Sequence, residues 1–441
     1  MIEAKAAIKF KKFNLNDSSY SFPTGLNIIY GESGVGKSNL LDAFLNKKLP
    51  KRCNFNIKTF VDNLNVYKIF QNPDHQIISS TVSNEITFSG ECKQLPPSQL
   101  KVILDNALEY MPNDISPMMN PGFLSGGEKE ILNILTAIDY SPDILLIDDG
   151  LSFLSYQNKV QCIELLKNWA SDTSGIIIWA TSDYGDLKFS NFCWEIRLDG
   201  IEKIDKIVNK KYKDITIPKG RLNLEIKRMK FGYDNDRDIY SNLSIKIKNT
   251  RSLGILGDNG SGKTTFSGLC FGDLEPNEGK IVLTLGNEKD IKIGYLDQFP
   301  EHLILLKTPE ELLLELTKMQ VFNKDMMNTF KNRLMRFGIQ WKQIFNTRGV
   351  DLSWSILRIL LVVLFVHSNF DLIILDEPTF GLGFRQKEKF RLFLRECMNQ
   401  IHFMIISHDK EFIKATCDNI INLDNLNIKN HRIGKEEKIK F

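Results

Sequence analysis

The sequence contains no long apolar segment. Its longest uninterrupted apolar run covers residues 359–366, between Arg358 and His367. A helix needs about 20 apolar residues to cross a bilayer, so the sequence predicts no membrane-spanning helix. Lys and Arg number 57 against 54 Asp and Glu. The resulting net charge of +3 gives no bulk electrostatic attraction to nucleic acid or to anionic lipid.

Cysteine and histidine are also scarce. The seven cysteines are scattered without a CxxC pair, and only six histidines are present. This usage fits reduced thiols in the cytosol better than a disulfide framework or a zinc site. With 42% apolar and 25% charged residues, the chain is expected to fold into globular domains. Its 441 residues predict two or three of them at roughly 150 residues each.

An internal repeat in the sequence indicates two domains and not three. The segment GESGVGKS at 31–38 recurs as GDNGSGKT at 257–264, an offset of 226 residues. Later landmarks keep nearly the same offset: Gln71 and Gln298 differ by 227 residues, and Asp148 and Asp376 by 228. We therefore predict two copies of one domain, at 1–208 and 221–441, joined by a charged linker at 209–220.

Both repeated segments match the GxxxxGK[ST] pattern of a P-loop, between a predicted strand and a predicted helix. Backbone N–H groups of such a loop hold a triphosphate, Lys37 or Lys263 reaches the β- and γ-phosphates, and the hydroxyl of Ser38 or Thr264 ligates Mg²⁺. The predicted ATP-binding residues of the two loops are Gly31, Glu32, Ser33, Gly34, Val35, Gly36, Lys37, Ser38 and Asn39, and Gly257, Asp258, Asn259, Gly260, Ser261, Gly262, Lys263, Thr264 and Thr265.

Each copy also contains an apolar strand that ends in two acids. ILLI precedes Asp148 and Asp149, and LIIL precedes Asp376 and Glu377. Continuous apolar runs of this length suit strands that are buried on both faces of a parallel sheet. The first acid of each pair is predicted to hold Mg²⁺ and the second to polarise the attacking water.

The segment LSGGE at 124–128, between the first P-loop and its acidic strand, resembles the signature of ABC-type ATPases, and the resemblance covers essentially the whole chain. It implies an α/β fold of two tandem P-loop NTPase domains. Each would contain a mostly parallel sheet with helices and a helical signature subdomain. In that family two domains pair head to tail, so Ser125, Gly126, Gly127 and Glu128 would cap the γ-phosphate held by the other domain's P-loop. The resemblance also implies that Gln71 and Gln298 ligate Mg²⁺.

In a head-to-tail pair, each ATP site combines the P-loop of one domain with the signature of the other. The sequence predicts that the two composite sites formed in this way are unequal. The site predicted to hydrolyse ATP combines the first signature with Lys263, Thr264, Gln298, Asp376, Glu377 and His408, of which Glu377, His408 and Gln298 would be catalytic. The other combines Lys37, Ser38, Gln71 and Asp148 with a second signature, LSWSI, which keeps Ser353.

Three departures weaken that second site. Trp354 and Ser355 replace the signature glycines, Asp149 replaces the catalytic glutamate, and Ser182 replaces the histidine. An indole cannot occupy the space that a close backbone approach to phosphate needs, and a shorter acid moves the carboxylate by about an ångström. We expect this site to bind ATP and to hydrolyse it slowly or not at all.

Adenine usually stacks on an aromatic residue that precedes the P-loop. Tyr233 is the candidate in the second domain, and Phe13 is the weaker candidate in the first.

A finer resemblance follows the first glutamine. FQNPDHQIISSTVSNEITF at 70–88 is similar to the stretch after the corresponding glutamine in ATPases of energy-coupling-factor transporters. That resemblance implies a motor with ATP and Mg²⁺ as cofactors. It would lie peripherally on the cytoplasmic face of the membrane and drive a transmembrane coupling subunit and a small substrate-binding membrane subunit that import vitamins or metal ions.

Two other functions remain open. A soluble ATPase of the ABC-F kind, acting on ribosomes, would share the tandem arrangement and LSGGE. Members of that family resemble one another in having a long basic linker, whereas the linker here is short. A DNA-repair or structural ABC ATPase would need a coiled-coil insertion between P-loop and signature, and neither copy contains such a heptad stretch.

Overall fold

The computed structural model describes residues 6–10, 18–48, 55–59, 63–112, 115–197, 200–204, 210–233, 238–258, 260–298 and 300–426. The chain divides into two compact units. Unit 1 comprises Met1–Asn209 with Gly381–Phe384, and unit 2 comprises Lys210–Phe380 with Arg385–Phe441. The domain limits predicted from the repeat stay a prediction.

Unit 1 consists of nine described strands and five described helices. The strands are β1 (Ala6–Phe10), β2 (Ser18–Phe22), β3 (Gly25–Tyr30), β4 (Phe55–Thr59), β5 (Val66–Ile69), β6 (Ile144–Asp148), β7 (Ile176–Thr181), β8 (Phe192–Arg197) and β9 (Gly200–Lys203). The helices are α1 (Lys37–Phe44), α2 (Val82–Cys92), α3 (Pro97–Leu108), α4 (Gly126–Tyr140) and α5 (Tyr156–Thr173).

The main sheet of unit 1 has the strand order β5-β6-β7-β3-β8-β9 and is parallel except for β9. Every residue of β6 and β7 is buried, because both faces of these central strands are covered and their sequences are almost entirely apolar. A separate antiparallel sheet has the order β2-β1-β4. The carboxyl ends of β3 and β6 lie at one edge of the parallel sheet, which brings the P-loop and the acidic pair together.

Unit 2 repeats this plan. Its described strands are β10 (Leu222–Phe231), β11 (Tyr240–Thr250), β12 (Ser252–Leu256), β13 (Glu278–Leu285), β14 (Ile293–Leu296), β15 (Leu372–Asp376), β16 (His402–Ser407) and β17 (Asn419–Asn422). Its helices are α6 (Lys263–Phe271), α7 (Pro309–Lys318), α8 (Met327–Arg336), α9 (Trp341–Ile344), α10 (Trp354–Val366), α11 (Phe384–Cys397) and α12 (Lys410–Thr416).

The main sheet of unit 2 is parallel, with the order β14-β15-β16-β12-β17, and an antiparallel sheet has the order β11-β10-β13. The strands β15 and β16 are completely buried, as β6 and β7 are in unit 1. The parallel pairings β3–β7 and β12–β16 are equivalent. In each pair the first strand, β3 or β12, leads through the P-loop into a helix, α1 or α6.

Helices inserted between the glutamine loop and the acidic strand form the helical part of each unit. They are α2 to α4 in unit 1 and α7 to α10 in unit 2. The predicted α/β fold class of two tandem P-loop domains, each with a mostly parallel sheet and helices, is therefore confirmed. Among the described residues, no helix is both long and apolar enough to cross a membrane.

Candidate functional site

The two P-loops have the same backbone conformation. Gly34 and Gly36 have φ angles of 80° and 106°, and the equivalent Gly260 and Gly262 have 80° and 90°. Side chains with a Cβ rarely adopt these angles, so glycine is needed where the loop curls. In both units the P-loop lysine folds back onto the loop, since its Nζ donates to the carbonyl of Gly31 or Gly257 at 2.9 Å.

The remaining P-loop residues lie where the sequence predicts, between β3 and α1 and between β12 and α6. Asn259 and the adenine candidate Phe13 lie outside the described residues. Tyr233 is 62% exposed, and its hydroxyl lies 3.1 Å from the hydroxyl of Thr265, next to the P-loop threonine. An exposed ring beside the start of α6 can stack on a base.

In unit 2, Glu377 has a complete set of partners. Its Oε1 accepts from the backbone N–H of His408 at 2.9 Å and contacts His408 Nδ1 at 3.0 Å, while Oε2 accepts from the Ser407 hydroxyl at 2.8 Å. Lys263 Nζ lies 3.9 Å from Oε1. Glu377 has a φ of 46°, an unfavourable angle for a residue with a side chain, which aims its carboxylate at the P-loop.

These contacts set the charge of the pair. Burial alone would raise the pKa of Glu377, but His408, Lys263 and Ser407 outweigh it and lower that pKa to about 2. The attraction of Glu377 in turn raises the pKa of His408. These contacts favour the ionised form of Glu377, and the side chain of its partner His408 is 44% exposed.

In unit 1, Asp149 occupies the equivalent position with a φ of 50°. Its two oxygens accept from the backbone N–H and the hydroxyl of Ser182 at 2.7 and 2.9 Å. The same hydroxyl lies 2.8 Å from Lys37 Nζ, which is 3.8 Å from Asp149. Burial, opposed in part by Lys37, raises the pKa of Asp149. Because Ser182 is only 4% exposed, the arrangement is closed and contains no group that extends outward as His408 does.

The acids that end β6 and β15 differ as well. In unit 2, Asp376 Oδ1 is buried and has no hydrogen-bond partner among the described residues, and Oδ2 is 3.4 Å from the hydroxyl of Ser267. Burial and the neighbouring Glu377 raise the pKa of Asp376 to about 7, which a bound cation would reverse. Asp376 and Thr264 could therefore hold Mg²⁺, with Gln298 two residues beyond β14.

In unit 1, both oxygens of Asp148 are already occupied. Oδ1 accepts from the Ser38 hydroxyl at 3.0 Å, and Oδ2 lies 3.0 Å from the ammonium of Lys68. Lys68 also contacts Asp42 Oδ1 at 2.9 Å. Burial would lower the pKa of Lys68, but the two carboxylates raise it above its usual value. The metal site predicted at Ser38, Asp148 and Gln71 therefore lacks an unoccupied carboxylate oxygen like that of Asp376 in unit 2.

The two signature helices begin differently. Ser125 is the N-cap of α4 and forms a capping box with Glu128, so Gly126 and Gly127 begin the helix with bare backbone N–H groups. Ser353 is the N-cap of α10 but caps no N–H with its side chain. Trp354 follows, with its indole 6.0 Å from the Phe380 ring, and Ser355 is buried. The first residue of α10 therefore carries an aromatic side chain where α4 has a glycine.

Two charged residues at the site were missed by reasoning from the sequence. Lys68 is one, and Arg358 is the other: only 2% exposed, it donates to the carbonyls of Glu377 at 2.5 Å and of Gln298 at 2.6 Å. The available signal was a single charge inside an apolar element, VYKIF or ILRILLVVL. A charge in that setting must find partners.

Comparisons with known proteins agree with this geometry. The family model of the ABC transporter matches residues 15–152 and 240–380, which together are more than half of the chain. The chain therefore belongs to the ABC transporter family, whose ATP-binding proteins are ATPases.

Individual relatives show how far the similarity extends. A provisionally named ABC transporter ATP-binding protein of Bacillus cereus is 24% identical, over 88% of this chain and 82% of its own length. A provisionally named HMP/thiamine import ATP-binding protein of Bacillus subtilis is 22% identical, over 89% and 83%. The energy-coupling factor transporter ATP-binding protein of Mycoplasma mobile is 29% identical, over 42% of this chain and 72% of its own. The predicted resemblance to tandem ABC ATPases and to energy-coupling-factor ATPases is confirmed.

Among solved structures, the RNase-L inhibitor has a TM-score of 0.59 with 18% identity, over 95% of this chain and 88% of that one. An archaeal ribosome recycling factor, in complex with a ribosomal stalk protein, has a TM-score of 0.60 with 18% identity, over 94% and 87%. At this identity the likeness shows the fold alone.

Proposed function

We propose that this chain is the ATP-hydrolysing motor of an ABC importer of the energy-coupling-factor type, for uptake of a vitamin or a metal ion. The observation that carries the proposal is the difference between the two acidic pairs. Glu377 contacts a partly exposed His408, whereas Asp149 is enclosed by Ser182 and Lys37. Relatives named as importer and energy-coupling-factor ATPases support the transport assignment.

Hydrolysis is assigned to a composite site. The P-loop of unit 2, with Lys263 and Thr264, binds ATP, and the signature at Ser125, Gly126, Gly127 and Glu128 caps the γ-phosphate in a head-to-tail pairing within one chain. Glu377 accepts a hydrogen bond from the attacking water, and His408 contacts the γ-phosphate. Gln298 is the third catalytic residue of this site. Mg²⁺, held by Asp376, Thr264 and Gln298, would neutralise charge on the phosphates. The partner site, formed by Lys37, Ser38 and Ser353, retains ATP.

Motion can reach a membrane subunit through the segment after Gln71. In unit 1 this segment is tied to the signature helix α4, because Lys129 Nζ contacts Asp74 at 2.6 Å and Asn133 donates to the carbonyl of Pro73 at 3.0 Å. A shift of α4 on ATP binding would therefore move the segment. Close to it, Ile78 is 67% exposed and offers an apolar contact to a transmembrane coupling subunit.

The test is purification of the full chain in mild detergent from the membranes of its own organism. We expect stoichiometric co-purification of a coupling protein and a small substrate-binding membrane protein, and ATP-dependent uptake once the complex is reconstituted in vesicles. The Ile78→Asp variant should lose these partners, whereas Val102→Asp, a control at an exposed residue of α3, should keep them. Recovery of ribosomal subunits in place of membrane proteins would overturn the proposal and support a ribosomal function.

A further inference from the structure

A buried lysine distinguishes the nucleotide site of unit 1. Lys68 lies on β5, the strand that leads to Gln71, and its side chain is 6% exposed. At the offset of 227 residues, the equivalent residue on β14 of unit 2 is Tyr295. The same structural position thus carries an ammonium in one unit and a neutral phenol in the other.

The ammonium is fixed between two carboxylates. Lys68 Nζ lies 2.9 Å from Asp42 Oδ1 on the P-loop helix and 3.0 Å from Asp148 Oδ2 at the end of β6. The other oxygen of Asp148 accepts from the hydroxyl of Ser38 at 3.0 Å. A cationic side chain is therefore bound to the carboxylate that would face the metal of a bound nucleotide, and the charge of that carboxylate is compensated within the protein.

The corresponding position in unit 2 lacks such a charge among the described residues. Tyr295 and Ser267 contribute hydroxyl groups, which lie 3.2 Å apart, and the residue equivalent to Asp42 is Gly268. Asp376 Oδ1 is buried without a hydrogen-bond partner among the described residues. This oxygen of Asp376 is therefore available to bind a cation from solution.

We propose that Lys68 is a built-in counter-ion and that unit 1 binds nucleoside triphosphate with little dependence on Mg²⁺. The inference rests on the proposed binding of ATP by the Lys37 P-loop. Like charges repel, and the repulsion is strong where water is scarce. A divalent cation placed at Asp148 would have to displace the buried Lys68 from Asp148 and break its contact with Asp42. Because Lys68 already compensates Asp148, no metal ion is needed there, and Lys37 supplies the positive charge that faces a bound triphosphate.

The experiment measures the equilibrium binding of ATP to full-length chains, in saturating Mg²⁺ and in EDTA. In a Lys263→Ala chain, which reports on unit 1, we expect the dissociation constant to change less than about threefold between the two conditions. In a Lys37→Ala chain, which reports on unit 2, we expect it to rise roughly tenfold or more in EDTA. Adding Lys68→Met to the Lys263→Ala chain should weaken binding in EDTA by roughly tenfold, while Lys68→Arg, which keeps the charge, should not.

A second measurement guards against misfolding of the methionine variant. In a Lys263→Ala, Asp376→Asn background, Mg²⁺ alone should raise the melting temperature after Lys68→Met and leave it unchanged with Lys68 present. Equal Mg²⁺ dependence of ATP binding by the two units, or an Mg²⁺-induced shift with Lys68 in place, would overturn the inference and leave the proposed function intact. No ATP binding by the Lys263→Ala chain in either condition would overturn both.

Discussion

The two units share a fold and differ in how the acids at the end of the central strand are used. In unit 2, Glu377 is bound to the partly exposed His408, and Asp376 keeps a buried oxygen without a hydrogen-bond partner among the described residues. In unit 1 the equivalent acids are satisfied internally, by Ser182, Lys37, Ser38 and Lys68.

The comparison teaches that nucleotide binding and hydrolysis rest on separable features. The P-loop glycines, the contact of the lysine with the first glycine and the positive φ of the second acid are the same in both units. The changes at the nucleotide site include the side chains that would meet water, metal and γ-phosphate. On the proposed assignment, unit 1 keeps what is needed to hold ATP and has lost what is needed to hydrolyse it.

The largest expected effect separates the two second acids. Glu377→Gln removes the carboxylate that orients the water and should lower steady-state ATPase activity by roughly a hundredfold or more. Asp149→Asn, at the equivalent position of unit 1, should change it less than about twofold. Both are measured as phosphate release by the full chain. Similar losses in the two variants would contradict the unequal assignment.

The next effect concerns the two signatures. Gly126→Trp introduces into unit 1 the side chain that Trp354 has in unit 2, which should block the approach of the α4 backbone to phosphate and reduce ATPase activity by roughly tenfold to a hundredfold. Trp354→Gly should leave the rate nearly unchanged, since that signature serves the site without a competent acid. A gain in activity from Trp354→Gly would show that unit 1 retains a working base.

A stability effect is expected at the equivalent positions 130 and 358 of the two signature helices. Arg358→Met removes a buried donor from the carbonyls of Gln298 and Glu377, of which the second keeps the N–H of Phe380, and should lower the free energy of unfolding of unit 2 by about 2–4 kcal/mol. Glu130→Gln keeps an oxygen for only one of the N–H groups of Ser152 and Phe153, which donate to the two different carboxylate oxygens, so its cost should be about 1–2 kcal/mol. Urea unfolding of the full chain measures both. Equal losses of unfolding free energy in the two variants would show that Arg358 does not stabilise the segments of Glu377 and Gln298.

The smallest effect is the contribution of one histidine of unit 2 to the pH dependence of stability. His402 begins β16 and accepts from the backbone N–H of Arg221 at 3.1 Å, and the equivalent residue of unit 1 is Ile176. Burial, and then Arg251, lower the pKa of His402 to about 4. The unfolded chain therefore binds more protons between about pH 6.5 and 4, so stability is lost as the pH falls through this range, by about 2 kcal/mol.

The control for this pH effect is His402→Gln, whose amide oxygen can still accept from Arg221 but does not titrate. Urea unfolding at a series of pH values should show a smaller loss of stability in the variant, with the transition of unit 1 unaffected. An unchanged pH dependence would mean that other groups cause the acid lability.

The fold could be predicted from the sequence because its signals are local. A P-loop between strand and helix, an apolar strand ending in acid, and a constant offset each specify an element or a domain. The role of Lys68 could not be predicted in this way. Its contact with Asp148 depends on the pairing of β5 with β6, in which Lys68 lies opposite Leu146, and on the position of Asp42 on α1. Arg358 likewise depends on packing between segments that are distant in sequence.

The central claim is that one nucleotide per chain is hydrolysed and one is retained. A single-turnover experiment tests it directly: the full chain is loaded with two labelled ATP molecules, free nucleotide is removed, and the bound nucleotides are analysed after the reaction has stopped. The account predicts one ADP and one ATP per chain, with the ATP lost in the Lys37→Ala variant. Conversion of both nucleotides to ADP at similar rates would contradict it.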